Sequence, residues 1–261
     1  MQTVSKRSVD KIYPQKQRGT EKKMKVTALL TGRGNNTLKN KNILDVAGHP
    51  VLYYPANAGR KAKTIDNFYV SSDDEMILNT AAEYGYSKIV RPAELASPTA
   101  QHVDCIIHAL NIMKDEGKLP DIVVVLLANN VTVKSEWIDD CVEIMKNDDS
   151  VTAVVPVYKD NDHHPFRAKK IDPEGNIQMF EENAGSSLST NRQDLPPCYF
   201  LSHNFWVLRV ESLLRDPYAG QAPWSFMGNV IKPYIIDESI DIHALPDLLI
   251  AEEWLKNNYC D

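Results

Sequence analysis

The 261 residues are 43% hydrophobic and 25% charged, with a net charge of −6; these are globular values that exclude disorder as the main state. The longest apolar runs, such as Ile122 to Ala128, fall far short of the ~20 residues a membrane span needs, and the acidic balance argues against a nucleic-acid groove, which requires a basic face. Cys105, Cys141, Cys198 and Cys260 are scattered without metal-type spacing and read as free thiols of a reducing, cytoplasmic compartment.

Residues 1–23 carry seven Lys or Arg against Asp10 and Glu21, a local balance of +5 that leaves −11 for the rest. The segment lacks the apolar core of a signal peptide and reads as a disordered basic tail, with Met24 as an alternative start. From there strands and helices alternate. "KVTALL" is a buried strand running into glycine-rich sequence. "HPVLYYPANAGRKA" suits a helix bent near Pro55, since proline lacks the amide donor. "NFYVSS" reads as a strand and "DDEMILNTAAEYG" as a helix, capped by Ser72 or Asp73 and ended by Gly85. "SKIV" is the next strand, and Thr99 to Met113 a helix with Val103, Ile106, Ile107 and Leu110 on its apolar face. "DIVVVLLA" is apolar throughout, hence buried on both faces. "SEWIDDCVEIMKN" and "SVTAVVPVY" continue the alternation, which predicts a parallel sheet covered on both sides.

The pattern breaks from Tyr158 to Tyr199, which is rich in Asp, Asn, His, Pro and Gly. Only short strands are expected there, around Ala168 to Ile171 and Ile177 to Phe180, so the region reads as a lid or an oligomerisation arm. "NFWVL", "KPYIIDES" and a helix from about Pro246 to Asn257 complete the chain. In open sheets ligands bind at the carboxyl ends of the strands. This gathers the opening loop, Ser71 to Asp74, Ala128 to Thr132 and the loops near 203 and 241 at one edge.

The opening loop, "TGRGNNTLKNKN", sets Arg33, Lys39 and Lys41 within nine residues, beside Gly32 and Gly34. The glycines would let the backbone approach oxygen atoms, and Asn35, Asn36 and Thr37 add neutral donors. Neither a Walker loop nor GxGxxG is present. The residues alone leave two readings open, a polyphosphate cradle and a solvated turn.

The surrounding sequence resembles the acylneuraminate cytidylyltransferases, which make CMP-sialic acid and related CMP-nonulosonates. "ALLTGRGNNTLKNKN" is similar to a strand followed by P-A-R-x-G-S-K and then K-N. "VSSDDEMILNTAAEYGYSKIVRPAELASPTA" resembles the block ending in R-P-x-E-L-A, and "HHPFR" at His163 to Arg167 resembles H-H-P-x-K. "RQDLPPCYFLSHNFWVL" is similar to R-Q-x-L-P followed by N-G-A-I-Y, and "DIHALPDLLIAEEWL" to D-I-D-T-x-x-D-L-x-x-A-E. The blocks stand in family order from Lys25 to Leu255.

The resemblance implies an α/β fold: a Rossmann-like, mostly parallel sheet with helices on both faces and an inserted dimerisation or lid region. The nucleotidyltransferase domain would span 24–261, with the insertion at about 159–200. It implies that CTP and a keto-sugar acid give a CMP-sugar and pyrophosphate with Mg2+ (or Mn2+) as cofactor, in a homodimeric enzyme. Arg33, Lys39 and Asp241 match catalytic positions; Arg33, Asn36, Lys41, Asn42, Arg91, Ala100 and His102 fall at nucleotide contacts. Arg167, Arg192 and Trp206 fall on the sugar side, with Arg167 reaching a neighbouring subunit's site. Asp241 and His243, facing the same way in extended chain, stand where the family has two metal-binding aspartates. Plainer roles stay open: an Arg91–Glu94 ion pair, core packing for Trp206, an exposed loop for His163 and His164, and helix capping for Asp73, Asp74 and His243.

Departures from the family pattern matter. The opening loop is one residue short, with Asn36 and Thr37 near the serine and lysine. "LLANNVT" replaces L-Q-P-T-S-P-L, so Ala128 removes a glutamine that would touch the sugar. Pro98, Gln101 and His102 replace the aspartate and serines after E-L-A. Imidazole is a poor ligand for magnesium, so His243 implies a single-carboxylate site, a base, or a changed metal preference. Two alternatives therefore accompany the nonulosonate reading: an octulosonate-type acid or a phosphonate as acceptor, and a non-catalytic protein that binds nucleotide sugar.

Overall fold

The computed structural model describes residues 23–34, 36–182 and 188–259. Every residue of β1, Val26–Thr31, is buried, as is every residue of β6, Ile122–Leu127. Strands with no solvent face must lie inside a sheet covered on both sides, and these two pair in parallel at its centre. On its other edge β1 pairs in parallel with β4, Asn67–Ser72, which carries β5, Ser87–Val90, as the outer parallel strand. Successive side chains alternate across the sheet. Val26, Ala28 and Leu30 pack with α1 (Tyr53–Lys61), α2 (Glu75–Glu83) and α4 (Ser135–Lys146). Leu29, Val123 and Val125 pack on the opposite face with α3 (His102–Asp115) and α5 (Val210–Arg215).

Beyond β6 the order is not that of a simple strand–helix repeat. β7, Ala153–Lys159, is separated from β6 by β11, Phe205–Arg209, which runs antiparallel to both. β10, Tyr199–Leu201, pairs antiparallel with the end of β7, and β12, Ile231–Ile236, pairs with β7 in parallel. The result is one eight-stranded, mostly parallel α/β sheet with helices on both faces.

Between β7 and β10 the chain leaves this sheet, as its composition implies. It forms a separate antiparallel hairpin of β8, Lys169–Ile171, and β9, Ile177–Met179. Asn161 ties the base of the excursion, donating to the carbonyls of Arg192 and Leu195 and accepting the Cys198 N–H.

Three local expectations change. Pro55 does not bend α1, because the helix begins at Tyr53; in the first turn a missing N–H removes no intrahelical bond. The residues ahead of it, His49–Pro50, instead form β3 of a small hairpin with β2, Asp45–Val46. The cap of α2 is Asp74 rather than Ser72 or Asp73: its carboxylate accepts the N–H groups of Met76 and Ile77 at 2.8 and 3.2 Å. α3 begins at His102, not Thr99. The last helix, α6, Leu245–Asn258, packs Ala251, Trp254 and Leu255 with Val46, Tyr54 and Ile242.

No helix among the described residues is long and apolar enough to cross a membrane. Cys105, Cys141 and Cys198 are free thiols, and Cys260 lies outside the described residues. The basic tail also falls outside them up to residue 22; Lys23 pairs with Asp66 at 3.1 Å.

Candidate active site

At the carboxyl edge of β1, β5 and β6 a cavity of about 240 Å³ opens. Arg33, Asn36 and Lys41 form part of its lining, half-buried. Asn42 and Arg91 line it more deeply, at 3% and 6% exposure, together with Ala100 and His102. The nucleotide-contact positions implied by the sequence therefore surround one space.

The opening loop is held by its own amides. The Arg33 carbonyl accepts from Nδ2 of Asn36 and, at 3.2 Å, from Nδ2 of Asn42. The Arg33 guanidinium makes only long bonds, 3.4 Å to Asn36 Oδ1 and 3.4 Å to the Ser97 carbonyl. The Gly34 N–H donates to Asp73 Oδ1 at 3.0 Å. A Cβ on Gly34 would lie 2.6 Å from Asp74 Oδ2 and 2.8 Å from Asp74 Cβ. Close approach to this helix-capping carboxylate is thus what requires glycine here. Asp73 and Asp74 serve as loop anchor and helix cap.

Deeper in the cavity, Arg91 spends two donors on Ser71, at 2.7 Å to its carbonyl and 3.2 Å to its hydroxyl, in place of an ion pair with Glu94. His102 sets Nε2 3.0 Å from the Thr31 hydroxyl. Burial, then the nearby charges of Arg91 and His203, push the His102 pKa down to about 3, so the ring is neutral at physiological pH.

A second set of groups adjoins the cavity through Lys41. Burial draws the Lys41 ammonium below its ordinary range; Asp241 opposes the shift and Arg33 adds to it. Asp241 is fixed by a β-bridge to Asn130, whose Nδ2 donates to Asp241 Oδ1 and, at 3.1 Å, to Ser239 Oγ. The Asn130 side-chain oxygen, Oδ1, in turn accepts the Thr132 N–H at 2.9 Å. His243 Nε2 stands 3.8 Å from Asp241 Oδ2 and is 69% exposed. The N-cap of α6 is Ala244; Asp247, in the helix's first turn, reaches back to accept the N–H groups of His243 and Ala244 at 2.7 and 2.8 Å.

Other positions lie elsewhere. Lys39 is exposed and outside the cavity lining. Trp206 is 2% exposed; its N–H donates to the Ser202 carbonyl at 3.1 Å and its ring packs on His102, His203 and Phe226. It thus takes the core role its strand position offered and supports His102 from behind. Arg167 and Arg192 both pair with Asp162 inside the excursion, Arg167 at 3.5 Å, and neither lines the cavity of this chain. His163 bonds Asp160 at 2.6 Å, and His164 is 5% exposed, accepting the Phe166 N–H at 3.1 Å.

Sequence reasoning passed over Thr31, Asn130 and His203. Asn130 and His203 occupy loops assigned to the ligand edge, but nothing in their spacing distinguished them from solvated polar residues.

Cations and deep polar groups around one cavity at this edge of a doubly covered sheet suit an anionic, polar ligand. A sequence model of the family described as cytidylyltransferase matches residues 33–204. The chain belongs to that family and is a CTP-dependent nucleotidyltransferase. The CMP-N,N'-diacetyllegionaminic acid synthase of Legionella pneumophila is 26% identical over 241 residues, covering 90% of this chain and 98% of that protein. The pseudaminic acid cytidylyltransferase of Campylobacter jejuni is 23% identical, covering 90% and 98%. An N-acylneuraminate cytidylyltransferase of Streptococcus agalactiae is 26% identical over 198 residues, but only 45% of its length is matched. Among solved structures, a CMP:2-keto-3-deoxy-manno-octonic acid synthetase complexed with CTP superposes with a TM-score of 0.65 at 11% identity, covering 89% of this chain and 99% of that one. That likeness concerns the fold.

Proposed function

We propose that the protein activates a nonulosonic, sialic-acid-like keto-sugar acid with CTP, giving a CMP-sugar and pyrophosphate. The observation that carries this reading is one cavity shared by Arg33, Lys41, Asn42 and Arg91, in a chain that matches CMP-nonulosonate synthases over nearly their whole length. The sugar's anomeric hydroxyl attacks the α-phosphorus, the bond to the β-phosphate bridging oxygen breaks, and the hydroxyl proton leaves to a base. Arg33 and Lys41 neutralise the triphosphate and align it, which is most of what phosphoryl-type transfer asks of a protein. Lys39, exposed beside the loop, would add charge at its rim.

We infer that Mg2+ is the cofactor. Among the described residues no group of three or more His, Cys, Asp or Glu is gathered, and Mg2+ is commonly held by one or two carboxylates plus substrate phosphates. Asp241 would hold it, with His243 beside that carboxylate, and the ion would supply charge neutralisation at the pyrophosphate; Mn2+ could replace it. The free thiols fit a reducing cytoplasm.

The acid is to be identified by following pyrophosphate release from each of the four NTPs with Mg2+ or Mn2+ and a panel of nonulosonates, octulosonates and phosphonates. CTP-selective release with a nonulosonate is expected. Release with an octulosonate or phosphonate alone would move the acceptor, and CTP binding without turnover across the panel would make the protein a binder.

The hairpin of the excursion exposes Ile171, Ile177 and Phe180 to 64% or more, and we propose a second copy as the partner that covers them. The wild type should sediment as a dimer, and Ile177→Asp as a monomer with an unchanged circular dichroism spectrum. A monomeric wild type at micromolar concentration would sink this assembly.

A further inference from the structure

The transfer needs a group to take the acceptor's hydroxyl proton, and one imidazole at the ligand edge is held in place without being used. His203 lies in the turn between β10 and β11, at the carboxyl end of β6, where the Leu127 N–H donates to the Asn204 carbonyl at 3.0 Å. Its neighbours Ser202 and Asn204 are fully buried. The Ser202 hydroxyl donates at 2.7 Å to Ser239 Oγ, which also accepts from Asn130, the residue bonded to Asp241. Asn204 Nδ2 donates to the Thr132 carbonyl at 2.9 Å. Residue 203 is thus flanked on both sides by bonds to the loops that fix Asp241. Its ring is half-buried and packs on two indoles, with centroids 5.9 Å from Trp206 and 5.4 Å from Trp224. Unlike the rings of His102, His163 and His164, it has no hydrogen-bond partner among the described residues. The charges of His203 and Lys41 both bear on the Asp241 carboxyl; Lys41 lines the nucleotide cavity and His203 does not.

We propose that His203 is the catalytic residue that accepts the proton of the acceptor's anomeric hydroxyl. The inference rests on the cytidylyltransferase reading and names the base which that reading leaves open. As the oxygen–phosphorus bond forms, the hydroxyl O–H bond breaks and its proton passes to a ring nitrogen of His203. Pyrophosphate leaves with the electron pair of the broken bond to phosphorus, and the imidazolium then returns the proton to water. A ring with both nitrogens uncommitted can receive that proton, and its half-buried position opens it to substrate and to solvent alike. The other candidates are less suited. His102 is bonded to Thr31 within the nucleotide cavity. Asp241 is engaged by Asn130 and by the cation assigned to it.

The test measures kcat, KM for CTP and for the acceptor, and thermal melts in the wild type, His203→Ala and His203→Gln, using the acid that the wild type turns over. Loss of a general base should lower kcat by about 10²- to 10⁴-fold in both variants, with KM for CTP little changed. Added imidazole should restore part of the rate in His203→Ala and none in His203→Gln, whose side chain fills the space. A residue that only packs on Trp206 and Trp224 would give no such rescue. Should His203→Ala fail to fold, His203→Gln carries the test: it keeps most of the volume and the polarity but has no basic nitrogen. Near-wild-type kcat in His203→Gln, or a folded, slow His203→Ala that imidazole does not accelerate, overturns the role of His203 and leaves the cytidylyltransferase reading intact. A wild type that neither binds nor turns over CTP overturns that reading, and this inference with it.

Discussion

Arg33→Ala should lower kcat/KM for CTP by about 10²-fold or more, the scale seen when one preorganised charge contact is lost from a transition state. The structure makes this a clean substitution. What fixes the loop is the Arg33 carbonyl, which receives the amides of Asn36 and Asn42, and alanine keeps that carbonyl. The guanidinium's own bonds are long, 3.4 Å to Asn36 and to Ser97, so in the free protein it is guided but uncommitted. It can exchange those contacts for phosphate oxygens at small cost. The variant should therefore melt within a few degrees of wild type while CTP affinity and turnover fall together. Arg33→Lys should recover part of the rate, since it restores charge without the planar fork. Near-normal turnover in Arg33→Ala would remove this residue from the triphosphate site.

The same loop shows what could and could not be read in advance. Register with later blocks placed Arg33, Asn36, Lys41 and Asn42 at a nucleotide contact, and they line one cavity. Their gathering follows from chain connectivity at the end of β1, which periodicity reveals. Lys39 was not separable from Lys41 by charge, yet one is exposed and the other is half-buried against Asp241. Asn40, in the left-handed region at φ 58°, turns the chain between them, and nothing in "TLKNKN" states which lysine is inward. The strands of the sheet were readable because "VTALLT" and "IVVVLL" are apolar throughout. Their order was not, because β11 enters antiparallel between β6 and β7, and pairing across more than fifty residues leaves no local trace. Trp206 illustrates the remaining gap: an aromatic at a strand position suits the core and a sugar platform equally in sequence. Only its 2% exposure distinguishes the two.

Asp241→Asn should abolish metal-dependent turnover without destabilising the fold. Burial pushes the Asp241 carboxyl above the ordinary carboxylate range; the Asn130 bond and the charges of His203, His243 and Lys41 pull the other way. An acid whose folded pKa is raised holds its proton more tightly folded than unfolded, so its ionisation opposes folding as pH rises through the ordinary carboxylate range near ~4. Above that range its ionisation is therefore a burden on folding. Asparagine keeps an acceptor for Asn130 and removes that burden. Its melting temperature should equal or exceed wild type at pH ~7, with the difference vanishing once the wild-type carboxyl is protonated, below pH ~4. Activity should move oppositely: a neutral amide cannot replace the anionic oxygen that a hard divalent cation prefers, so raising Mg2+ or Mn2+ should not restore the rate. Pyrophosphate release and calorimetric melts on the same samples measure both quantities. Full turnover in Asp241→Asn would take this residue out of the metal site. Lost turnover with a large fall in melting temperature would make Asp241 a structural carboxylate instead.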